Sequence, residues 1–121
     1  MTKNIGTLMY IAPEQMTLSY YDSRVDIYSL GLILFELCHH MKTGHERNKT
    51  MNSLRLQIYP KELDECPNEK ELIRMMTQLN PSLRPSVEDI FLSEAYLNWK
   101  NQHCQQILRD ITSQLEKEQA E

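Results

Sequence analysis

A chain of 121 residues with 40% hydrophobic and 25% charged positions is sized for a single globular domain with its own core. Its net charge of -4, with no dense basic run, speaks against nucleic acid or an anionic membrane as partner. The longest apolar stretch, around Leu30 to Leu37, is too short to cross a bilayer, and the polar opening Met1-Thr2-Lys3-Asn4 is no secretory leader, so a cytoplasmic location is expected.

Residues 1 to 22 show little amphipathic pattern and contain Gly6 and Pro13, which predicts a loop followed by a short helix. From about Ser23 to His40 the sequence reads as a helix whose second half, Tyr28 to Phe35, is apolar on every side and therefore expected to be buried all round. Gly31 inside it costs about 1 kcal/mol relative to Ala, which implies the close approach of another segment. His39-His40 reads as a C-terminal cap rather than a ligand pair.

Thr43-Gly44-His45-Glu46 fits a capping box, so a helix is predicted to begin there, run through Met51, Leu54 and Ile58, and stop before Pro60. Asn68 is placed as the cap of the next helix, Glu69 to Leu79, with Leu72, Ile73, Met76 and Leu79 on one face and Asn80-Pro81 ending it. Ser86 to Asp89 is a second box-like pattern, opening a helix with Val87, Ile90 and Phe91 inward. From about Asn98 the composition turns polar, and Cys104, Leu108, Ile111 and Leu115 recur at spacings of four and three. That seam allows dimerisation through a short coiled coil; the alternative is an amphipathic helix packed back on its own domain or fraying in water. Cys38, Cys66 and Cys104 read as free thiols, and Cys66-Pro67 as a loop entering a helix.

No carboxylate pair, Ser/His/Asp set or metal cluster assembles at convincing spacing, but an ordered series of motifs does. Gly6-Thr7, Tyr10-Ile11-Ala12-Pro13-Glu14-Gln15, Asp26-Ile27-Tyr28-Ser29-Leu30-Gly31 and Leu79-Asn80-Pro81-Ser82-Leu83-Arg84-Pro85 follow one another in the order that resembles the C-terminal half of a eukaryotic protein kinase, over about residues 5 to 97. The resemblance implies an all-α fold, the partial helical lobe of a kinase from the end of the activation segment to the last helix, in residues 1–97, to which the composition adds a polar helical tail in 98–121. It implies a buried ion pair between Glu14 and Arg84, and an Asp26 that anchors the catalytic loop through backbone N–H groups, unless it merely caps its helix. Thr7 matches the hydroxyl residue of serine/threonine kinases, and Thr2 lies where such kinases accept an activating phosphate.

Within that family, Thr43-Gly44-His45-Glu46-Arg47 followed by Leu54-Arg55 and Tyr59-Pro60 resembles the kinases of the alpha subunit of translation initiation factor two. Those kinases dock their substrate on this helix, which makes Thr43 and Glu46 candidate docking contacts, or else only the start of a helix. No His-Arg-Asp, Asp-Phe-Gly or GxGxxG occurs, so ATP and magnesium are implied for a parent kinase and this chain by itself is expected to bind no cofactor and transfer no phosphate. The rival expectation is a non-catalytic module that captures the substrate through the Thr43 helix, or a fragment of another serine/threonine kinase subgroup.

Overall fold

The structure is a computed structural model and describes residues 10–17 and 22–120. Among them there are six α-helices and no strand: α1 (Pro13–Thr17), α2 (Arg24–Cys38), α3 (Gly44–Arg55), α4 (Pro67–Met76), α5 (Val87–Leu92) and α6 (Glu94–Ala120). Short 3-10 turns at Lys61–Glu65 and Pro81–Leu83 precede α4 and α5. No helix among the described residues is long and apolar enough to cross a membrane.

The central element is α2. Its Val25, Tyr28, Leu32 and Phe35 pack with Ala12, Met51, Leu54, Leu63 and Ile73 into one buried cluster. Ile27, on another side of the same helix, joins Leu72, Met76 and Ala95 in a second. Helix α4 therefore serves both clusters, since successive residues Leu72 and Ile73 point about 100° apart around its axis. Gly31 marks the closest approach of α2 to α4: a Cβ there would lie 2.8 Å from Thr77 Cγ2 and 2.9 Å from Met76 Cβ.

Several boundaries differ from the sequence reading. Helix α2 is not buried all round, because Leu30, Ile33 and Leu37 are 50%, 43% and 80% exposed on the side that no other described element covers. It stops at Cys38, where the His39 N–H donates to Phe35 O and the two rings stack. Helix α3 stops at Arg55 rather than before Pro60. Gln57 adopts a left-handed φ of 63°, its N–H donates to Leu54 O, and the Ile58 N–H donates to Ser53 O, the paired bonds of a Schellman ending.

Helix α4 starts at Pro67, whose fixed φ suits the first helical position, and not behind an Asn68 cap; the Asn68 amide instead reaches Gln102 in α6 at 3.4 Å. It ends at Met76 rather than Leu79: Thr77 Oγ1 donates to Ile73 O at 2.6 Å and the Gln78 side-chain amide to Arg74 O at 2.7 Å, and beyond that turn Arg84 Nε donates to Gln78 O (2.8 Å) and its Nη2 to Leu79 O (3.4 Å). The Ser86 box forms in full, with Ser86 Oγ accepting from the Asp89 N–H and Asp89 Oδ2 from the Ser86 N–H. Only Ile90 of α5 packs inward, however, while Val87 and Phe91 stay half exposed. Ser93 then caps a new helix through its Oγ and the Tyr96 N–H. That helix, α6, runs without a break past residue 97, so the polar tail continues the last helix of the body, and residues 101–120 are exposed throughout.

Candidate functional site

The segment Tyr10-Ile11-Ala12 is fastened to the helical body from several directions. Ser29 Oγ in α2 donates to Tyr10 O at 2.6 Å, and Arg55 Nη1 at the end of α3 donates to Ile11 O at 2.9 Å. The Tyr10 hydroxyl donates to Glu36 Oε2 at 2.7 Å and accepts from Arg47 Nη2, which is also 2.5 Å from Glu36 Oε1. Burial and the Glu36 carboxylate both push the Tyr10 phenol upward, so it stays a neutral hydroxyl able to donate. Ile11 and Ala12 are buried as a result.

Where that segment turns into α1, Glu14 meets Arg84 across 70 positions of sequence. Arg84 Nη1 and Nη2 donate to Glu14 Oε2 and Oε1 at 2.7 and 2.9 Å, the two-pronged arrangement that a guanidinium makes with a carboxylate. Arg84 Nη1 also donates to Arg24 O at 3.1 Å, so with Gln78 and Leu79 the five guanidinium N–H groups all find acceptors. Both side chains are buried, at 8% and 5% residue exposure, which makes this a desolvated pair rather than a surface one.

A cleft of about 460 Å³ opens beside the pair, lined by Arg24, Asp26, Ser82, Arg84, Ser86 and Asp89. Asp26 stands in the first turn of α2, exposed, and its carboxylate accepts no hydrogen bond from any described residue. Its side chain is thus not used to cap its own helix. The cap-like bond belongs to Asp22, whose Oδ1 accepts from the Arg24 N–H at 3.0 Å.

Thr43 and Glu46 lie together at the start of α3. Thr43 Oγ1 accepts from the Glu46 N–H at 3.0 Å, but the Glu46 carboxylate accepts from the Lys42 N–H at 3.1 Å and not from that of Thr43, so half of the expected box forms and the other half is shifted by one residue. Thr43 is exposed and Glu46 half-buried. Glu46 also borders a shallow cleft of about 320 Å³ with Lys49, Thr50, Ser53, Ile58 and Tyr59. Arg47, the last residue of the same motif, turns inward to Tyr10 and Glu36, which ties the exposed helix start to the fastened segment.

Thr2 and Thr7 lie outside the described residues. The structure thus brings Glu14 to Arg84 and Thr43 to Glu46, and sets Asp26 in the cleft that Arg84 also lines, without a hydrogen bond between the two. Sequence reasoning missed Ser29, Glu36, Arg47 and Arg55 as the holders of Tyr10 and Ile11, since contacts 19 to 44 positions apart carry no periodic signal. Among the described residues no group of three or more His, Cys, Asp or Glu side chains could hold a metal ion. The cysteines are free, and burial, with Cys66 and Glu69 adding to it, pushes the Cys38 thiol up to about 11, which keeps it protonated and a poor nucleophile.

Residues 1–97 match the family described as protein kinase domain. Among similar proteins, mouse eukaryotic translation initiation factor 2-alpha kinase 1 is 38% identical over 96 residues, covering 78% of this chain and 16% of that protein. The Caenorhabditis elegans eukaryotic translation initiation factor 2-alpha kinase pek-1 is 36% identical over 89 residues, covering 74% of this chain and 8% of its own length. The mouse interferon-induced, double-stranded RNA-activated protein kinase is 37% identical over 100 residues, covering 83% of this chain and 19% of that protein.

Proposed function

The chain belongs to the protein kinase family as a helical-lobe portion of a serine/threonine kinase most like the initiation factor 2-alpha kinases, and from that premise we propose that it serves phosphorylation of the alpha subunit of translation initiation factor two by presenting the surface on which that substrate docks. The observation that carries this reading is the start of α3, where exposed Thr43 and half-buried Glu46 sit on one rim while Arg47 locks the same turn to the Tyr10 segment. A docking helix coupled in this way to the segment that precedes the Glu14–Arg84 pair holds a bound substrate at a fixed distance from the phosphorylation machinery.

ATP and magnesium belong to the same proposal. Kinases hold them with a Gly-rich loop, a strand Lys, and Asp and Asn metal ligands, none of which has a counterpart in these 121 residues. Asp26, exposed and with no hydrogen bond to its carboxylate among the described residues, and the exposed Leu30, Ile33 and Leu37 of α2 suit a lobe that packs against such neighbours.

The test is binding of the purified alpha subunit by this chain, measured by calorimetry, together with a Thr43→Asp variant. Aspartate caps a helix about as well as threonine, so the fold is kept while the docking chemistry changes. Binding by the parent chain and a loss of about tenfold or more in the variant, with unchanged helicity, is expected for docking through Thr43. Equal affinity of the two would confine Thr43 to starting a helix, and no binding of the parent chain would remove the substrate reading.

A further inference from the structure

The packing of α4 on α2 brings together two cysteines that the substrate reading leaves unused. The two helices run antiparallel: Arg84 donates both to Arg24 O at the start of α2 and to Gln78 O just past the end of α4, while Gly31 in the middle of α2 meets Met76 and Thr77. Seven residues on from Gly31 is Cys38, the last residue of α2, and seven back from Met76 is Glu69. Both steps cover about 10 Å in the same direction at 1.5 Å per residue. Cys66 stands about one turn before Glu69, immediately ahead of α4.

Cys38 and Cys66 are accordingly half-buried against one core cluster, the one that holds Phe35, Leu63 and Ile73. Their electrostatics agree with that nearness. Glu69 raises both thiols, and the charge of a Cys66 thiolate adds to the rise at Cys38, so Cys38 is the later of the two to ionise. Cys104, by contrast, is exposed on α6. The stretch between Cys38 and Cys66 contains the whole of α3, Gly44–Arg55.

We propose that Cys38 and Cys66 form a reversible intrachain disulfide when the chain meets a hydroperoxide, closing the base of the loop that carries α3. The inference is independent of the substrate reading.

The Cys66 thiolate attacks one oxygen of the hydroperoxide. An S–O bond forms, the O–O bond breaks, and the departing oxygen anion takes up the proton that the thiol released, leaving Cys66 as a sulfenic acid. The Cys38 sulfur then attacks that sulfur; the S–S bond forms as the S–O bond breaks, and hydroxide leaves with the Cys38 proton as water. In total the two thiols give up two electrons and two protons, and the hydroperoxide is reduced. Cys38 is a poor nucleophile toward solutes, but against a sulfur held alongside it its effective concentration is high.

The test treats the whole reduced chain with hydrogen peroxide, blocks the remaining thiols with N-ethylmaleimide, and reads intact mass and peptide linkage. Expected is a monomer that has lost two hydrogens and taken up a single maleimide, at Cys104, with the tryptic peptides of Cys38 and Cys66 joined until dithiothreitol separates them. In Cys38→Ser the sulfenic acid at Cys66 persists and is captured by dimedone, and in Cys66→Ser Cys38 stays a free thiol. Because the bond closes a loop around α3, amide hydrogen exchange within that helix should slow by about tenfold or more in the oxidised parent chain. A linkage through Cys104, oxidation of Cys66 that leaves Cys38 free in the parent chain, or three maleimides per chain after peroxide overturns the pairing. Unchanged exchange in α3 overturns the closing of its loop. Both decisive readings come from the parent chain, so neither depends on the folding of a variant.

Discussion

The guanidinium carbon of Arg84 lies 4.8 Å from the centre of the Tyr28 ring, so the Glu14–Arg84 pair is roofed by an aromatic face as well as buried. Tyr28 is itself fully buried in α2, so the central helix, the start of α1 and the turn before α5 meet at this one ion pair. Removal of Glu14 alone strands a buried cation, and removal of Arg84 alone strands a buried anion and frees the carbonyls of Arg24, Gln78 and Leu79. Each single change, Glu14→Ala or Arg84→Ala, is expected to cost about 3–5 kcal/mol. The double variant should cost much less than their sum, because its buried charges leave together. Urea unfolding followed by circular dichroism measures all three, and additive costs would mean that the two side chains act separately.

The same pair makes stability depend on pH in a definite direction. Burial pushes the Glu14 carboxyl up, but the hydrogen bonds and charge of Arg84, with the residue's own backbone N–H, outweigh it and hold the carboxyl below its ordinary range. A carboxyl lowered by folding adds stability that is complete above its unfolded value of about 4.3 and disappears as pH falls through the lower folded value. The difference in unfolding free energy between the parent chain and Glu14→Gln should therefore stay level from neutral pH down to about 5.5 and shrink below about 4.3. A difference that widened with acid would contradict this.

The pair was legible in the sequence because its two halves sit in distinct motifs, Ala12-Pro13-Glu14 and Arg84-Pro85, and the central helix because six of the eight positions from Tyr28 to Phe35 are apolar. Helix ends were less legible wherever tertiary contacts set them. Nothing local announces that the carbonyls of Gln78 and Leu79, just past α4, will go to Arg84 instead of to a further helical turn. The site divides in the same way: Thr43 and Glu46 share one turn and show in the sequence, while the holders of Tyr10 come from α2 and α3 and show only when the chain is folded.

Gln57 explains the misplaced end of α3 and offers a stabilising change. The Schellman ending needs a left-handed residue, which is ordinarily glycine, and here a glutamine takes that conformation at φ 63°. A side chain costs about 1 kcal/mol or more in that region through the approach of Cβ to the following carbonyl oxygen. Gln57→Gly should raise stability by about 0.5–1 kcal/mol, part of the relief being offset by the extra freedom of glycine in the unfolded chain. Gln57 is exposed, so no packing is lost with it. A fall in the urea midpoint would show that the observed ending is not the one that holds α3.

Gly31 calls for the opposite reasoning. By helix propensity alone, Gly31→Ala in the middle of α2 should gain about 1 kcal/mol. The added methyl, however, would meet Thr77 Cγ2 at 2.8 Å and Met76 Cβ at 2.9 Å, and both atoms are set close to the backbone of α4, where no flexible chain end can swing aside. Thr77 is held further by its hydroxyl, which donates to Ile73 O at 2.6 Å. Pushing α2 and α4 apart also disturbs the Leu72 and Ile73 contacts that join the two core clusters, so overpacking of about 1–3 kcal/mol outweighs the propensity gain and the net effect is destabilising. Thr77→Ser removes the offending methyl and keeps the hydroxyl, so the Gly31→Ala, Thr77→Ser double variant should recover part of the loss, the Met76 contact remaining. Thermal unfolding of the two single variants and the double variant decides the matter: a stabilising Gly31→Ala, or a double variant with no recovery, would mean that the close approach of these helices is not what keeps glycine at this position.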